Sequence, residues 1–316
     1  MNIGFIGAGY MAHEHAKVFE FLGCNVAAIA SRNSEVSSER FSGNFKSARR
    51  YIDKFELIEK ANIDALIITT PPEVTETLLD SINQRGLFSL VEKPGALNLE
   101  SLERIINNPR IFFGYNRRFY ESVAALKMKV DKNDGYFQFH LVEPCFDNVN
   151  ERRDCLLNNS VHMFDLIQFF IPNCELHYLS GDYLRYLFDI RDENKKSRGT
   201  LKVSFGAFRN QSIHWDGDKS SITLEPIEEF HFTNAFHTIE PSDLNPIRRY
   251  IPTVKDESEN NLIISDCVFK PGLLNQAREF LAQCISKDED CVNVLSKPKH
   301  AHWVLAATRE VQKNLL

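Results

Sequence analysis

Residues 2–12 decide the fold, and they read Asn-Ile-Gly-Phe-Ile-Gly-Ala-Gly-Tyr-Met-Ala. The first five residues are an apolar run typical of a buried strand, and a helical pattern follows from residue 10 to residue 22. Between them, Gly7 permits a tight turn, Gly9 lets an anion approach the backbone, and Ala12 lets the helix pack close to the sheet. This order of strand, glycine turn and helix predicts the first βα unit of a doubly wound α/β fold.

The same turn predicts a phosphate-binding site at the start of the helix. Free N–H groups and the positive end of the helix dipole favour an anion there. We therefore expect a dinucleotide to bind at Gly7, Ala8, Gly9, Tyr10 and Met11. The alternative is a glycine turn selected only for helix packing.

The first third of the chain continues the strand–helix alternation. Further strand-like runs without polar alternation lie at residues 25–30, 65–69, 87–91 and 111–114. A helix is expected over Val74–Arg85, with Gly86 as its stop signal. Continuous apolar strands between helices indicate a parallel sheet covered on both faces. We expect a dinucleotide-binding Rossmann domain over residues 1–118.

After residue 118 the pattern changes to that of an α+β domain. Residues 136–142 alternate like an antiparallel strand, and strand-like runs separated by polar turns fill residues 175–233. A short helix is expected over Ser160–Phe170, with Ser160 as its N-cap. Two helical patterns close the chain near residues 273–286 and 297–314. The second domain, residues 119–316, is therefore predicted to carry an open, largely antiparallel sheet, and its last helices are candidates to pack back on the first domain.

Composition excludes several classes of function. The chain has 316 residues, 43% of them apolar, and a net charge of −6. It has no basic run of the kind that binds nucleic acid, no apolar stretch of the ~18 residues that span a membrane, and no signal-peptide pattern at its start. Its seven cysteines are odd in number and include no Cys-x-x-Cys pair, which favours reduced thiols in the cytoplasm and no metal site.

The end of the second strand bears on cofactor choice. The residues there are Ser31, Arg32 and Asn33, with no carboxylate to accept the ribose 2′-hydroxyl of NAD. A hydroxyl and a guanidinium suit a 2′-phosphate instead, because Arg pairs with phosphate. NADP(H) is therefore favoured and NAD(H) stays open; the alternative for Arg32 is a solvated loop residue.

A lysine follows the strand at residues 87–91, in the tripeptide Glu92-Lys93-Pro94. Ligands of parallel sheets bind outside the carboxyl ends of the strands, so Lys93 is expected to point into the cofactor cleft. An ammonium there can hydrogen-bond a reacting hydroxyl or carbonyl. An ordinary surface lysine is the alternative.

These motifs together resemble a known family. The glycine turn, Thr70-Pro71-Pro72, Glu92-Lys93-Pro94 and Gly-Tyr-Asn-Arg-Arg-Phe at residues 114–119 occur in the order and spacing of the glucose–fructose oxidoreductase/inositol dehydrogenase (Gfo/Idh/MocA) family. The resemblance implies a Rossmann domain followed by an α/β domain whose sheet covers the active site and often builds oligomers, here a dimer or tetramer. It also implies a cis peptide before Pro94, hydride transfer at nicotinamide C4, and sugar-like or polyol substrates. It places Thr70, Pro71, Glu92 and Lys93 among the cofactor-binding residues, and Lys93 also among the catalytic ones.

A second motif of this family places an Asp one helical turn before a catalytic His. In this chain His162 falls on the histidine, whereas Asn158 stands in place of the aspartate. His162 is the expected general acid/base. Asn158, Asn159 and Arg118 are expected to contact the substrate, with a structural ion pair to a carboxylate as the alternative for Arg118. Asp165 is expected to cap or pair at the surface, or to orient His162 in place of the missing acid.

The sequence therefore predicts an NADP(H)-preferring oxidoreductase acting on a sugar or nucleotide-sugar hydroxyl or carbonyl. Asn158 cannot stabilise an imidazolium by charge, so one alternative is a cofactor-bound sensor or scaffold that has lost catalysis. Another is a reductase of a non-sugar ring, such as a dihydrodiol or a tetrapyrrole.

Overall fold

The computed structural model describes residues 1–31, 41, 43–145, 148–255, 262–265, 268–286 and 294–315. The chain forms two compact units. The first contains Met1–Phe119, Leu156–Asp165 and Cys267–Arg309, and the second contains Tyr120–Cys155, Leu166–Asp266 and Glu310–Leu316. The domain limits 1–118 and 119–316 stay predictions of the sequence.

The first unit contains a six-stranded, all-parallel sheet in the order β3-β2-β1-β4-β5-β6. Its strands are β1 (Asn2–Ile6), β2 (Asn25–Ala30), β3 (Arg49–Tyr51), β4 (Ala65–Ile68), β5 (Phe88–Val91) and β6 (Ile111–Phe113). All four residues of β4 are buried, as the continuous apolar pattern requires when both faces are covered. The predicted Rossmann sheet is confirmed. Its strand order reverses between β1 and β4, the point at which such sheets bind their ligands.

The helices of this unit largely follow their predicted positions. Their bounds are α1 (Tyr10–Phe21), α2 (Lys54–Lys60), α3 (Pro72–Glu76), α4 (Leu79–Arg85) and α5 (Leu99–Glu103). The prediction of a single helix over Val74–Arg85 is wrong, because the chain forms two shorter helices there, α3 and α4. Thr77 bonds back to the carbonyl of Val74 through its hydroxyl at 2.7 Å, which competes with the helical ladder at the break. Gly86 ends α4 with a left-handed φ of 68°, as its role of stop signal requires.

The second unit contains an eight-stranded sheet in the order β16-β13-β12-β11-β7-β10-β9-β8. Its strands are β7 (Gly135–Glu143), β8 (Glu175–Gly181), β9 (Arg185–Arg191), β10 (Ser197–Phe205), β11 (Ser212–Gly217), β12 (Ser221–Leu224), β13 (Glu229–Thr233) and β16 (Leu262–Ile264). The pair β7–β10 is parallel and the other pairs are antiparallel. The prediction of a largely antiparallel sheet is confirmed. A hairpin of β14 (Ala235–Ile239) and β15 (Arg249–Thr253) lies in a segment for which the sequence predicted no structure.

The remaining helices are α6 (Glu121–Val130), α7 (Val149–Cys155), α8 (Val161–Phe170), α9 (Leu273–Ser286) and α10 (Pro298–Lys313). None of the helices in the described ranges is both long and apolar enough to cross a bilayer. The expected N-cap at Ser160 is wrong, because the chain runs from α7 through a π-helical turn, Leu156–Ser160, directly into α8. Ser160 is buried inside this helical stretch, so no exposed helix start exists there for its hydroxyl to cap. Asn158 therefore lies on the helical turn before His162.

Candidate active site

The glycine turn after β1 leaves room for a ligand at one of its two glycines. Gly7 adopts a left-handed φ of +103°, and a Cβ at this position would lie 2.6 Å from Thr69 Oγ1. A Cβ on Gly9 would meet nothing within 4 Å. Gly9 is the N-cap of α1 and has no side chain that could cap the free N–H groups of the helix. The first turn of α1 also contains no acidic residue. This end of α1 therefore presents its positive dipole to open space, which suits a phosphate.

A cleft of about 700 Å³ opens beside this turn. It is lined by Ile6, Gly7, Ala8, Gly9, Met11, Ala30, Ser31, Ile52, Asp53, Lys54, Thr69, Thr70, Pro71, Pro72, Val74, Glu92 and Lys93. The lining residues lie at the carboxyl ends of β1, β2, β3, β4 and β5 or directly after them, as expected for an open parallel sheet. Tyr10, predicted at this site, is 68% exposed and does not line the cleft. Arg32 lies outside the described residues.

The cleft fits a dinucleotide. Its volume is that of a typical cofactor pocket. The turn at Gly7 and Gly9 suits the pyrophosphate, and Ser31 at the end of β2 suits a ribose. Asp53 also lines the cleft, but its carboxylate caps α2 by accepting a hydrogen bond from the Phe55 N–H at 2.9 Å. Lys54, next to it, adds a cation that sequence reasoning missed.

Thr70 and Pro71 shape the wall of the cleft after β4. The Thr70 hydroxyl lies 2.7 Å from the hydroxyl of Thr75, which is buried. Pro71 is the N-cap of α3, and Pro72 occupies its first turn, where the missing N–H costs nothing. This hydrogen bond and the two prolines hold the loop open beside the glycine turn.

Lys93 reaches the helical turn that precedes His162. It follows β5 directly, and the Lys93–Pro94 peptide is cis, as the family resemblance implies. Its Nζ donates a hydrogen bond to the backbone carbonyl of Asn158, four residues before His162. The structure thus places the Lys93 ammonium against the turn that precedes His162, the two residues that the sequence predicted in one site.

Glu92 contacts a buried histidine of α1, His15. His15 Nε2 lies 2.8 Å from Glu92 Oε1, and His15 is 1% exposed. Gly114 allows this arrangement, since a Cβ there would lie 3.0 Å from Glu92 Oε1. The contact links α1, which begins at the glycine turn, to the end of β5, which positions Lys93. No sequence pattern marks it, because the two partners are 77 positions apart.

His162 is buried in an apolar and cationic environment. Its Nδ1 is buried, and no described residue forms a hydrogen bond with it. The ring of Tyr115 stands perpendicular to it, with the centroids 6.1 Å apart. Burial lowers the pKa of His162 well below 6.5, and the positive charges of Arg117, Lys93 and Lys270 lower this pKa further. The imidazole is therefore neutral at neutral pH.

The two asparagines of the π-helical turn are exposed, and one of them contacts a second cation. Arg117 Nη2 donates to Asn159 Oδ1 at 3.4 Å. Asn158 contacts the other cation through its backbone carbonyl, which accepts the hydrogen bond from Lys93. The turn Leu156–Ser160 therefore meets both cations and contains no carboxylate.

Arg118 lies in a buried ion pair. Its Nε and Nη2 each lie 2.7 Å from a carboxylate oxygen of Asp165, and both side chains are almost completely buried. Burial raises the pKa of Asp165, while the guanidinium opposes that rise and favours the ionised carboxylate. This is the structural pair that the sequence left as the alternative for Arg118. The expectation that Asp165 pairs at the surface is wrong. Its carboxylate is buried, and the paired guanidinium of Arg118 offsets the free-energy cost of removing that charge from water.

Comparisons with known proteins agree with this geometry. The family model described as "Oxidoreductase family, NAD-binding Rossmann fold" (GFO_IDH_MocA) matches residues 1–109. This match covers about the first third of the chain, and the relatives named as inositol dehydrogenases agree with it. The resemblance seen in the sequence motifs is thereby confirmed.

Named relatives of this chain include inositol dehydrogenases. It is 25% identical over 182 residues to myo-inositol 2-dehydrogenase of Thermotoga maritima, a match that covers 54% of each chain. It is 30% identical over 139 residues to inositol 2-dehydrogenase 2 of Saccharopolyspora erythraea, covering 42% of this chain and 41% of that one. The chain thus spans about half the length of such relatives, or less.

Solved structures share the fold over the whole length. A levoglucosan dehydrogenase in complex with NADH and L-sorbose superposes with a TM-score of 0.76 at 15% identity, covering 100% of this chain and 96% of that one. A UDP-N-acetylglucosamine 3-dehydrogenase from Acidithiobacillus ferrooxidans gives a TM-score of 0.72 at 16% identity, covering 99% and 97%. At these identities the likeness shows the fold alone.

Proposed function

We propose that this chain is an NAD(P)-dependent oxidoreductase that acts on a hydroxyl or carbonyl group of a sugar-like or polyol substrate. The observation that carries the proposal is the hydrogen bond from Lys93 Nζ to the Asn158 carbonyl, which joins the edge of the dinucleotide cleft to the turn preceding His162. An ammonium and a neutral imidazole beside a cofactor cleft are the groups that alcohol oxidation and carbonyl reduction require.

Each residue has a distinct part in this reaction. When bound, the nicotinamide supplies or accepts the hydride. Lys93 exchanges the Asn158 carbonyl for the reacting oxygen of the substrate and stabilises negative charge that develops there. His162 is neutral, so it accepts the hydroxyl proton during oxidation and returns it during reduction.

The turn before His162 supplies polar groups for substrate hydroxyls. Asn158 and Asn159 are exposed, and their amides both donate and accept hydrogen bonds, as sugar and polyol hydroxyls do. Arg118 serves as a positioning residue rather than a substrate contact, since its Nε and Nη2 engage Asp165 and its Nη1 donates to the Val294 carbonyl. Relatives named for inositol, levoglucosan and UDP-N-acetylglucosamine define the substrate range to be tested.

We further propose that the cofactor is NADP(H), because the sequence Ser31-Arg32-Asn33 that follows β2 contains no carboxylate. The test is the dissociation constant of NADPH and of NADH for the wild type and Arg32→Ala. Loss of a phosphate-binding guanidinium is expected to raise the dissociation constant of NADPH about tenfold or more and to leave that of NADH unchanged. Tighter binding of NADH by the wild type would contradict the preference.

The reaction itself is tested by turnover. Inositols, monosaccharides and nucleotide sugars are offered with NADP⁺ and NAD⁺, and the corresponding ketones with NADPH and NADH. Lys93→Ala and His162→Ala are then compared with the wild type on the substrate that turns over. Unchanged turnover in both variants would contradict the proposed roles. A homo-oligomeric state stays a prediction of the sequence, tested by light scattering of the purified protein.

One observation favours a second function, that of a cofactor-bound sensor without catalysis. Buried His162 Nδ1 has no hydrogen-bond partner among the described residues, and Asn158 stands where the family resemblance implies a carboxylate that would stabilise an imidazolium by its charge. Tight dinucleotide binding without turnover on these sugars and polyols, and without turnover on non-sugar rings such as a dihydrodiol or a tetrapyrrole, would support this alternative over the oxidoreductase.

A further inference from the structure

Lys270 lies beside the glycine turn without any motif to predict it. Its Nζ is 3.5 Å from Met11 Sδ and 5.5 Å from the centroid of the Tyr10 ring. Tyr10 and Met11 are the first two residues of α1. An ammonium from a segment about 260 positions away therefore stands at the same helix end as the phosphate-binding turn.

The backbone around Lys270 is fixed by two hydrogen bonds. The carbonyl of Pro271 accepts from Asn116 Nδ2 at 2.8 Å, and Asn116 is buried. The carbonyl of Lys270 accepts from the Leu273 N–H at 3.1 Å, at the start of α9. The position of Lys270 is thus determined by the fold and not by its exposed side chain.

Helix packing holds the same segment against α1. The first residue of α9, Leu273, and its later residue Phe280 are buried in one core cluster with Phe19 of α1. The rings of Phe19 and Phe280 meet edge to face, with their centroids 6.1 Å apart. Since both helices share this core, the distance between Lys270 and the N-terminus of α1 is set by packing.

Among the residues that the structure describes, the contacts of this ammonium carry no formal charge. They are the thioether of Met11 and the aromatic ring of Tyr10. The first turn of α1 contributes no carboxylate, and the open side of Gly9 lies at the same helix end. A cation, a helix dipole and an open glycine that meet at one place form a site for an anion.

We infer that Lys270 is a cofactor-binding residue that pairs with the pyrophosphate of the dinucleotide at the glycine turn. This inference rests on the proposed function, and it adds to the turn a charged contact that neither the sequence motifs nor the family match assigns. Dinucleotide binding is thereby linked to the segment that starts α9, because the anion would hold Lys270 and α1 together.

The test is the affinity of the purified full-length protein for NADPH and NADH, measured by calorimetry at low and high salt. Lys270→Gln removes the charge and keeps a long polar side chain, Lys270→Arg restores a cation, and Lys17→Gln is the matched control. Lys17 is an exposed residue of α1 paired with Glu14, so its loss changes the net charge equally but away from the helix N-terminus.

Lys270→Gln is expected to raise both dissociation constants about tenfold and to make them less sensitive to salt. Lys270→Arg should lie within about threefold of the wild type, Lys17→Gln should match it, and nicotinamide riboside, which has no phosphate, should bind all four proteins equally. Unchanged dinucleotide affinity in Lys270→Gln would overturn the inference and leave the proposed function intact, as would a raised substrate KM at unchanged cofactor affinity. A wild type that binds neither dinucleotide would overturn the proposed function and this inference with it.

Discussion

Arg118 and Asp165 form a two-pronged ion pair in which both N···O distances are 2.7 Å, and both side chains are almost completely excluded from solvent. Asp165 lies three residues after His162 on α8, and Arg118 lies in the short helical turn Asn116–Phe119. Arg118 Nη1 also donates to the Val294 carbonyl at 3.3 Å. The pair therefore fixes the helix that carries His162 to the turn that follows β6.

We expect Arg118→Met to destabilise the protein by about 3–5 kcal/mol, because it leaves a buried carboxylate without its partner. The double variant Arg118→Met/Asp165→Leu should regain most of that loss, since no buried charge then remains. Urea unfolding monitored by circular dichroism measures both. A single variant of unchanged stability with a raised substrate KM would instead return Arg118 to the role of a substrate contact.

The two glycines of the turn are expected to respond differently to alanine. Gly9→Ala should leave the free energy of unfolding within about 1 kcal/mol of the wild type, because its Cβ points into open space and its φ of −78° suits alanine. The same methyl occupies the place where a phosphate approaches, so the dissociation constant for the dinucleotide should rise about tenfold or more.

Gly7→Ala is the matched comparison. Its φ of +103° and the contact of 2.6 Å to Thr69 Oγ1 predict a loss of stability of about 1–3 kcal/mol. Thermal unfolding and calorimetric titration of both variants separate the two effects. Equal loss of stability in both, or unaltered dinucleotide affinity in Gly9→Ala, would contradict this assignment of roles.

The sequence could predict the parts of the site that obey general rules of parallel sheets. Gly7, Gly9 and Lys93 each follow a strand, and the carboxyl ends of parallel strands share one edge of the sheet. Their meeting at one cleft therefore follows from the topology. His162 was found only because the family resemblance marked its turn, since an amphipathic helix by itself gives no reason to single out one histidine.

The residues that sequence reasoning missed are those that act through long-range packing. His15 meets Glu92, Tyr115 meets His162, and Lys270 meets the start of α1, and none of these pairs leaves a periodic signal in the chain. The π-helical turn before His162 was missed for a local reason. Ser160 has the residue type of an N-cap, but the buried helical stretch around it overrides that preference.

Lys93→Met is expected to lower kcat by about 10²–10³-fold, because a hydrogen-bond donor to the reacting oxygen is lost while the apolar stem of the side chain is kept. The measurement is steady-state turnover on the substrate identified from the panel, together with calorimetric affinity for the dinucleotide. Lys60→Met, an exposed lysine of α2 paired with Glu56, is the control and should turn over like the wild type. If Lys93→Met kept a normal kcat but bound the dinucleotide more weakly, Lys93 would be shown to bind the cofactor instead of acting on the substrate.

The pH dependence of oxidation reports the protonation of His162. Burial and the charges of Arg117, Lys93 and Lys270 lower its pKa below the usual 6.5, so the imidazole stays neutral and able to accept a proton as the pH falls through that value. The acid limb of kcat/KM should therefore lie below pH 6.5, and Arg117→Gln, which removes the largest of the three charge effects, should move it upward. Rates measured from about pH 5 to about pH 9 test both statements. His162→Gln should remove the limb and lower the rate about 10²–10⁴-fold, whereas a limb that persists in this variant would assign the titration to another group.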